Sequence, residues 1–345
     1  MSIPNPLRLI GAVGSPYTRK MLALLRYRQI PHSMIWGDAP GVLDSMGIKK
    51  PKPTFLPTFL FEGEAGEIQA VCDSTPIIER LEASVSTRSV IPDDPALAFI
   101  NYLLEDYGDE WCTKLMFHYR WHFEADADNA GTMLPLTLDV GLADETLQQF
   151  KSYFSERQIG RLGFVGSNQT TAPIIDSSYR RLLSLLDAHF KTLPFLLGHK
   201  PSSGDFALYG QLSQLVGFDP TPRAIAYEIS PRTVGWTNLM EDQGGLDSTD
   251  KAWSTLESLP QTLTDILSEI GRTYVPALLA NAKALEADEK QWQTEIDGAV
   301  WTQQSFPYQG KCLHWIRERY QSLSQADQQR IADVLQGTGC EALLD

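Results

Sequence analysis

The chain of 345 residues contains no unbroken apolar run long enough to cross a bilayer, and no charged-then-apolar leader follows Met1. Neither secretion nor membrane insertion is expected, so the expected location is the cytoplasm. Positive charge is also scarce: 29 Lys and Arg stand against 43 Asp and Glu, a net charge of -14. Such a balance repels phosphate backbones and anionic lipid, which argues against nucleic-acid and membrane partners. The four cysteines, Cys72, Cys112, Cys312 and Cys340, show no CxxC spacing, so neither a zinc site nor a dithiol motif is written here. Internal repeats and low-complexity tracts are absent as well.

What remains is a globular composition, 43% hydrophobic and 21% charged, in a chain long enough for about two domains. Leu7 to Ala12 reads as a buried strand, Tyr17 to Arg28 as an amphipathic helix and His32 to Trp36 as a second strand. Thr58 to Phe61 and Gln69 to Val71 flank a polar turn over Glu62 to Glu67, a hairpin pattern, and Ser74 to Ala83 reads as a helix. The order βαβ, loop, ββα predicts an α/β unit with a mixed sheet. After a Ser-, Asp- and Pro-rich linker over Ser86 to Pro95, the spacing of apolar residues is helical throughout, as in Leu97, Ile100, Leu104, Tyr107, Trp111 and Leu115.

Four segments carry more specific information. Gly11 to Lys20, with Ser15-Pro16-Tyr17-Thr18, lies between the first strand and the first helix. Phe55-Leu56-Pro57-Thr58-Phe59-Leu60 is a strand opened by a proline, and Cys72-Asp73-Ser74-Thr75-Pro76 opens a helix. In Leu196 to Phe206, Ser202 and Asp205 sit at capping-box spacing and Pro201 and Phe206 at staple spacing. Ser15 alone reads equally well as a helix N-cap or as a hydroxyl donor at a helix N-terminus.

Together these segments resemble the glutathione transferase superfamily, in its serine type. The resemblance implies a thioredoxin-like βαβ-ββα N-terminal domain over 1–85, a helical domain over 95–245 and, beyond the family pattern, an extra helical extension over 246–345 packed on the body. It implies glutathione as substrate, a small hydrophobic electrophile as its acceptor, and a homodimer. Catalysis would rest on Ser15, whose hydroxyl stabilises the glutathione thiolate, with glutathione contacts at Tyr17, Leu56, Pro57, Asp73 and Ser74. The proline matching Pro57 is cis in the family, Leu56 would pair its backbone with the cysteinyl residue, and Asp73 would accept the γ-glutamyl ammonium. A basic residue for the glycyl carboxylate is expected among Lys49, Lys50 and Lys52. Two other readings stay open: a non-catalytic interaction or scaffold protein of the same fold, and a glutathione-dependent thiol reductase. The latter is disfavoured because Ser15 and Thr18 stand where a redox motif has cysteines.

His118 and His122 have metal-compatible spacing on a helix, but no glutamate lies between them and no third ligand is fixed, so no metal is expected. Tyr119 and His122 are instead candidates for the electrophile pocket, because the first helix of the helical domain usually lines it in the family. In the extension, Leu263, Ile266, Leu267 and Ile270 form one helical stripe and Tyr274 to Ala287 another. Ser324 with Asp327 caps a third helix that stops at Gly337. Trp292, Trp301, Phe306, Tyr308 and Trp315 are expected to be core. Whether the extension covers the pocket, enlarges an interface or docks a partner is left open by the sequence.

Overall fold

In the computed structural model of the chain, the described residues are 3–63, 66–248 and 252–344. Strands β1 (Leu7–Gly11), β2 (His32–Trp36), β3 (Thr58–Glu62) and β4 (Ile68–Cys72) form one sheet in the order β2-β1-β3-β4. β1 and β2 run parallel, joined by helix α1 (Pro16–Tyr27), whereas β3 is antiparallel to both β1 and β4. The β3–β4 turn was expected over Glu62 to Glu67, and residues 64 and 65 of it lie outside the described residues. Helix α2 (Ala39–Ser45) and helix α3 (Ser74–Ser84) complete the expected thioredoxin-like unit.

The strands follow the period of two that a pleated backbone imposes. Leu7, Leu9, Phe59 and Phe61 face α1, α3 and the main core, while Ile10, Leu60 and Ala70 meet Ala39 and Leu43 of α2 on the other face.

The rest is mainly helical: α4 (Pro95–Glu110), α5 (Cys112–His122), α6 (Glu124–Leu138), α7 (Asp144–Ile159), α8 (Ala172–His189), α9 (Ser203–Leu215), α10 (Pro220–Ile229) and α11 (Pro231–Met240). α9 is the central column, packed on α1 and α4. Its start is the capping box expected from Ser202 and Asp205, with the Asp205 carboxylate accepting the Ser202 N–H at 2.8 Å. Gly210 lets α9 approach α1 closely, since a Cβ there would lie 2.6 Å from the Pro16 carbonyl oxygen. Any side chain at this position would push the two domains apart.

The linker is less loose than its composition suggests. Arg28 donates to the Val85 and Thr87 carbonyls, Arg88 to those of Tyr27, Gln243 and Leu246, and Val90 is fully buried.

The extension consists of α12 (Gln261–Glu286), β5 (Gln291–Ile296), β6 (Ala299–Gln304), α13 (Pro307–Gln321) and α14 (Gln325–Leu335). Two expectations are corrected here. The two apolar stripes belong to one helix of 26 residues that runs through Pro276, and the extension is not wholly helical, because β5 and β6 form an antiparallel hairpin. Asp297 and Gly298 turn that hairpin at φ 55° and 76°, as a two-residue type I′ turn requires. α12 packs on α8, and both α13 and α14 pack on α4, so the extension shares the main core.

Candidate functional site

The turn between β1 and α1 holds Ser15 in an extended conformation, with its Oγ accepting the Thr18 N–H at 3.2 Å. Ser15 is therefore the N-cap of α1, and Pro16 follows where a missing N–H costs nothing. A hydroxyl that accepts one bond keeps its own proton to donate, so capping and donation to a sulfur anion are compatible. The turn's carbonyls are gripped from the helical side. Arg120 donates to the Gly14 oxygen at 2.9 Å and Gln214 to the Val13 oxygen at 3.2 Å, while Asp219 and Gln214 fix the Arg120 guanidinium.

The Leu56–Pro57 peptide is cis and lies just before β3. Of the three candidate lysines, Lys52 reaches the cavity described below, whereas Lys50 pairs with Asp44 at 2.8 Å and Lys49 stays outside it. Asp73 occupies the N-cap position of α3 at φ 90°, without a side-chain cap bond. Ser74 is the first residue of the helix, as expected, and its Oγ accepts from Lys20 Nζ at 3.0 Å. The Asp73 carboxylate accepts the Tyr308 hydroxyl at 3.0 Å. Burial raises the Asp73 pKa, opposed by that hydroxyl and by Lys20 and Lys311.

Lys20, fully buried, also contacts Glu105 Oε1 at 2.9 Å and Asp109 Oδ2 at 2.6 Å. Burial alone would lower its pKa; the two carboxylates overturn that and raise it well above the usual lysine value. Tyr17 donates to the Asp109 carbonyl at 2.7 Å, and burial together with Glu110 and Asp109 raises its own pKa well above the usual value. α1, α3 and α4 thus meet in one ionic knot beneath the site.

Ser15, Tyr17, Leu56, Pro57, Asp73 and Ser74 all line one cavity of about 910 Å³ between the sheet unit and the helices. The structure brings these six together. It does not bring Tyr119 and His122 there. Tyr119 is fully buried against α8, with its hydroxyl on Asp176 at 2.6 Å and its ring against Tyr179. His122 is exposed and stacks on His118. The reason is helical phase: Thr113, Phe117 and Arg120 of α5 line the cavity, and Tyr119, two residues from Phe117, points to the opposite face. His118 is a core histidine bonded to Ser167 at 2.7 Å, its pKa pushed down to about 3 by burial and by His122.

Phe306, Tyr308 and Trp315 line the cavity instead of filling the core, whereas Trp292 and Trp301 are buried as expected. The extension is therefore one of the cavity's walls. Arg120, Asp109, Glu110 and Gln309 are further lining residues for which spacing gives no signal. The β5–β6 hairpin did have one, the Asp297-Gly298 pair.

Residues 9–89 match the glutathione S-transferase N-terminal domain family. Over those residues the chain is similar to that N-terminal domain family. No curated protein matches the chain. Among solved structures, the chain resembles a glutathione transferase family member from Pseudomonas fluorescens pf-5 with two glutathione bound. Identity there is 14%, over 68% of this chain and 88% of that one, with a TM-score of 0.43. A glutathione transferase from Pseudomonas putida, with one glutathione disulfide bound per subunit, is 14% identical over 70% of this chain and 89% of that one, at 0.40. FzlA from C. crescentus is 16% identical over 66% and 89%, at 0.36. Likeness at these scores transfers no residue role to this chain.

Proposed function

We propose that the protein transfers glutathione to an electrophile, with residues 1–85 holding glutathione, 95–245 receiving the electrophile and 246–345 closing the cavity. The observation that carries this reading is the convergence of Ser15, Leu56, Asp73 and Ser74 on one cavity whose far side is apolar, with Met116, Trp121, Leu134 and Phe154. The donor set fits the tripeptide. Ser15 keeps a proton to donate to the thiolate, and the α1 N-terminus favours the anion. Asp73 retains acceptor capacity beside Tyr308 for an ammonium, because a carboxylate has about four lone-pair sites. Lys52 supplies a positive charge for a carboxylate.

In the proposed reaction the sulfur lone pair forms the S–C bond, and the leaving group departs with the pair from the bond it loses. The chain contributes thiolate stabilisation, proximity and exclusion of water. The test is calorimetric titration with glutathione, followed by Ser15→Ala. Wild type should bind glutathione, and the variant should bind it with a higher thiol pKa, read from thiolate absorbance. Absence of binding at millimolar glutathione would sink the proposal.

A further inference from the structure

The cavity has two unlike ends. One is apolar; the other is lined by α4 and α13 and is crowded with carboxyls. Glu105, Asp106, Asp109 and Glu110 of α4 are all buried, and among the described residues two buried ammoniums, Lys20 and Lys114, stand near them. Lys20 is committed to Glu105 and Asp109, and Lys114 donates to Gln303 Oε1 at 3.0 Å. Of the cations of α13, Lys311 lines the cavity but lies over the Trp315 ring, Arg317 donates to the Leu343 carbonyl, and Arg319 lies over Tyr102 with an ion pair to Glu79. Asp106 accepts from Tyr274 of α12 at 2.6 Å.

Two acceptors at this end have no partner. Asp109 is 6% exposed and its Oδ1 accepts nothing; Gln309 is 3% exposed and its Oε1 accepts nothing, while its amide donates to Glu110 Oε2 at 3.3 Å. Both residues line the cavity. Buried acceptors left unpaired are destabilising, a cost that a ligand bearing N–H donors removes. Among the described residues, no three His, Cys, Asp or Glu side chains gather as a metal site would require. A compact metal ion therefore does not suit this end. A group with several spread N–H donors does, and Tyr308, an aromatic side chain of the kind that meets cations, lines the same cavity.

We infer that the carboxyl-lined end of the cavity receives an ammonium or guanidinium group carried by the second substrate, so that the electrophile has an apolar body and a cationic end. This inference rests on the glutathione-transfer reading. Burial and neighbouring acids hold Asp106 up at about 6 and Glu110 up at about 8, and Asp109 is raised in the same way. A cation seated there favours their ionised forms, so its binding releases protons.

The probes are S-butyl-, S-hexyl- and S-octylglutathione, each paired with the same ligand carrying a terminal amine, titrated calorimetrically into the full chain at neutral pH in two buffers of different ionisation enthalpy. At one chain length or more, the amine should bind about tenfold tighter than its alkyl partner and release protons. Glu110→Gln or Asp106→Asn should erase the preference. Equal or weaker binding of the amines at every length, with the alkyl ligands bound, overturns this inference and leaves glutathione transfer standing. Failure of all six ligands and of glutathione itself overturns both. A preference that survives both substitutions overturns its placement at this end. The wild-type comparison needs no variant to fold.

Discussion

Lys20 and Lys114 are both buried beside α4, yet their surroundings drive them in opposite directions. Lys20, on the sheet side, touches two carboxylates and a hydroxyl, and its pKa rises despite complete burial. Lys114, on the extension side, touches a neutral amide, and burial, only partly offset by Glu110, lowers its pKa to about 8. Equal burial does not mean equal charge; the number of carboxylates at hydrogen-bond distance decides. The sheet side of the cavity is an ionic lock around Lys20 in which Asp109 keeps one oxygen unspent, and on the extension side Gln309 keeps another.

The largest effect should come from removing the extension. Truncation after Asp247 strips α8 of α12 and uncovers Tyr107 and Trp111, whose rings meet Tyr274. The product should aggregate and melt without cooperativity, as light scattering and calorimetry would report. A soluble, cooperatively melting product would make the two sides independent. Lys20→Met should cost about 3–5 kcal/mol in urea unfolding, because it strands Glu105 and Asp109.

The pH profile comes next. Glu110 keeps its proton up to about 8 when folded but only to about 4.5 when unfolded. The folded state then holds the extra proton, and stability falls as pH rises through that window. For Lys114, about 8 folded against 10.5 unfolded, the unfolded state holds the extra proton between those values, and stability rises with pH there. Glu110→Gln should flatten the first slope and Lys114→Met the second, in melting curves across pH. Ser15→Ala should cost about 1 kcal/mol through the lost cap. Smallest of all, Lys114→Met should leave stability at neutral pH within about 1 kcal/mol of wild type or raise it, since no ion pair is broken. A loss as large as that for Lys20→Met would erase the contrast.

The sheet side was also the legible side. Ser15 caps the helix it precedes, and Asp73 and Ser74 open the helix they belong to, so local rules find them. The carboxyl-lined end obeys no local rule. Gln309 and Glu110 meet across 199 positions, and Lys20 and Asp109 across 89. Tyr119 shows the converse failure: its place in the sequence suggested the cavity, and helical phase turned it away. The linker misled through composition, because Arg28 grips it from outside and its own Arg88 ties it to the body.

The extension's role as a wall also bears on how the chain is born. A ribosome delivers α4 more than a hundred residues before Tyr274, Tyr308 and Gln309. Until those residues emerge, Asp106 lacks the Tyr274 hydroxyl and Glu110 the Gln309 amide that cover them in the folded chain. The sheet unit and its lysine lock can form early, while the unusual carboxyl chemistry of the cavity is assembled last, when α13 docks on α4. Acid strength at this site is therefore a late product of synthesis, set by residues that the nascent chain has yet to receive when its first domain is already complete.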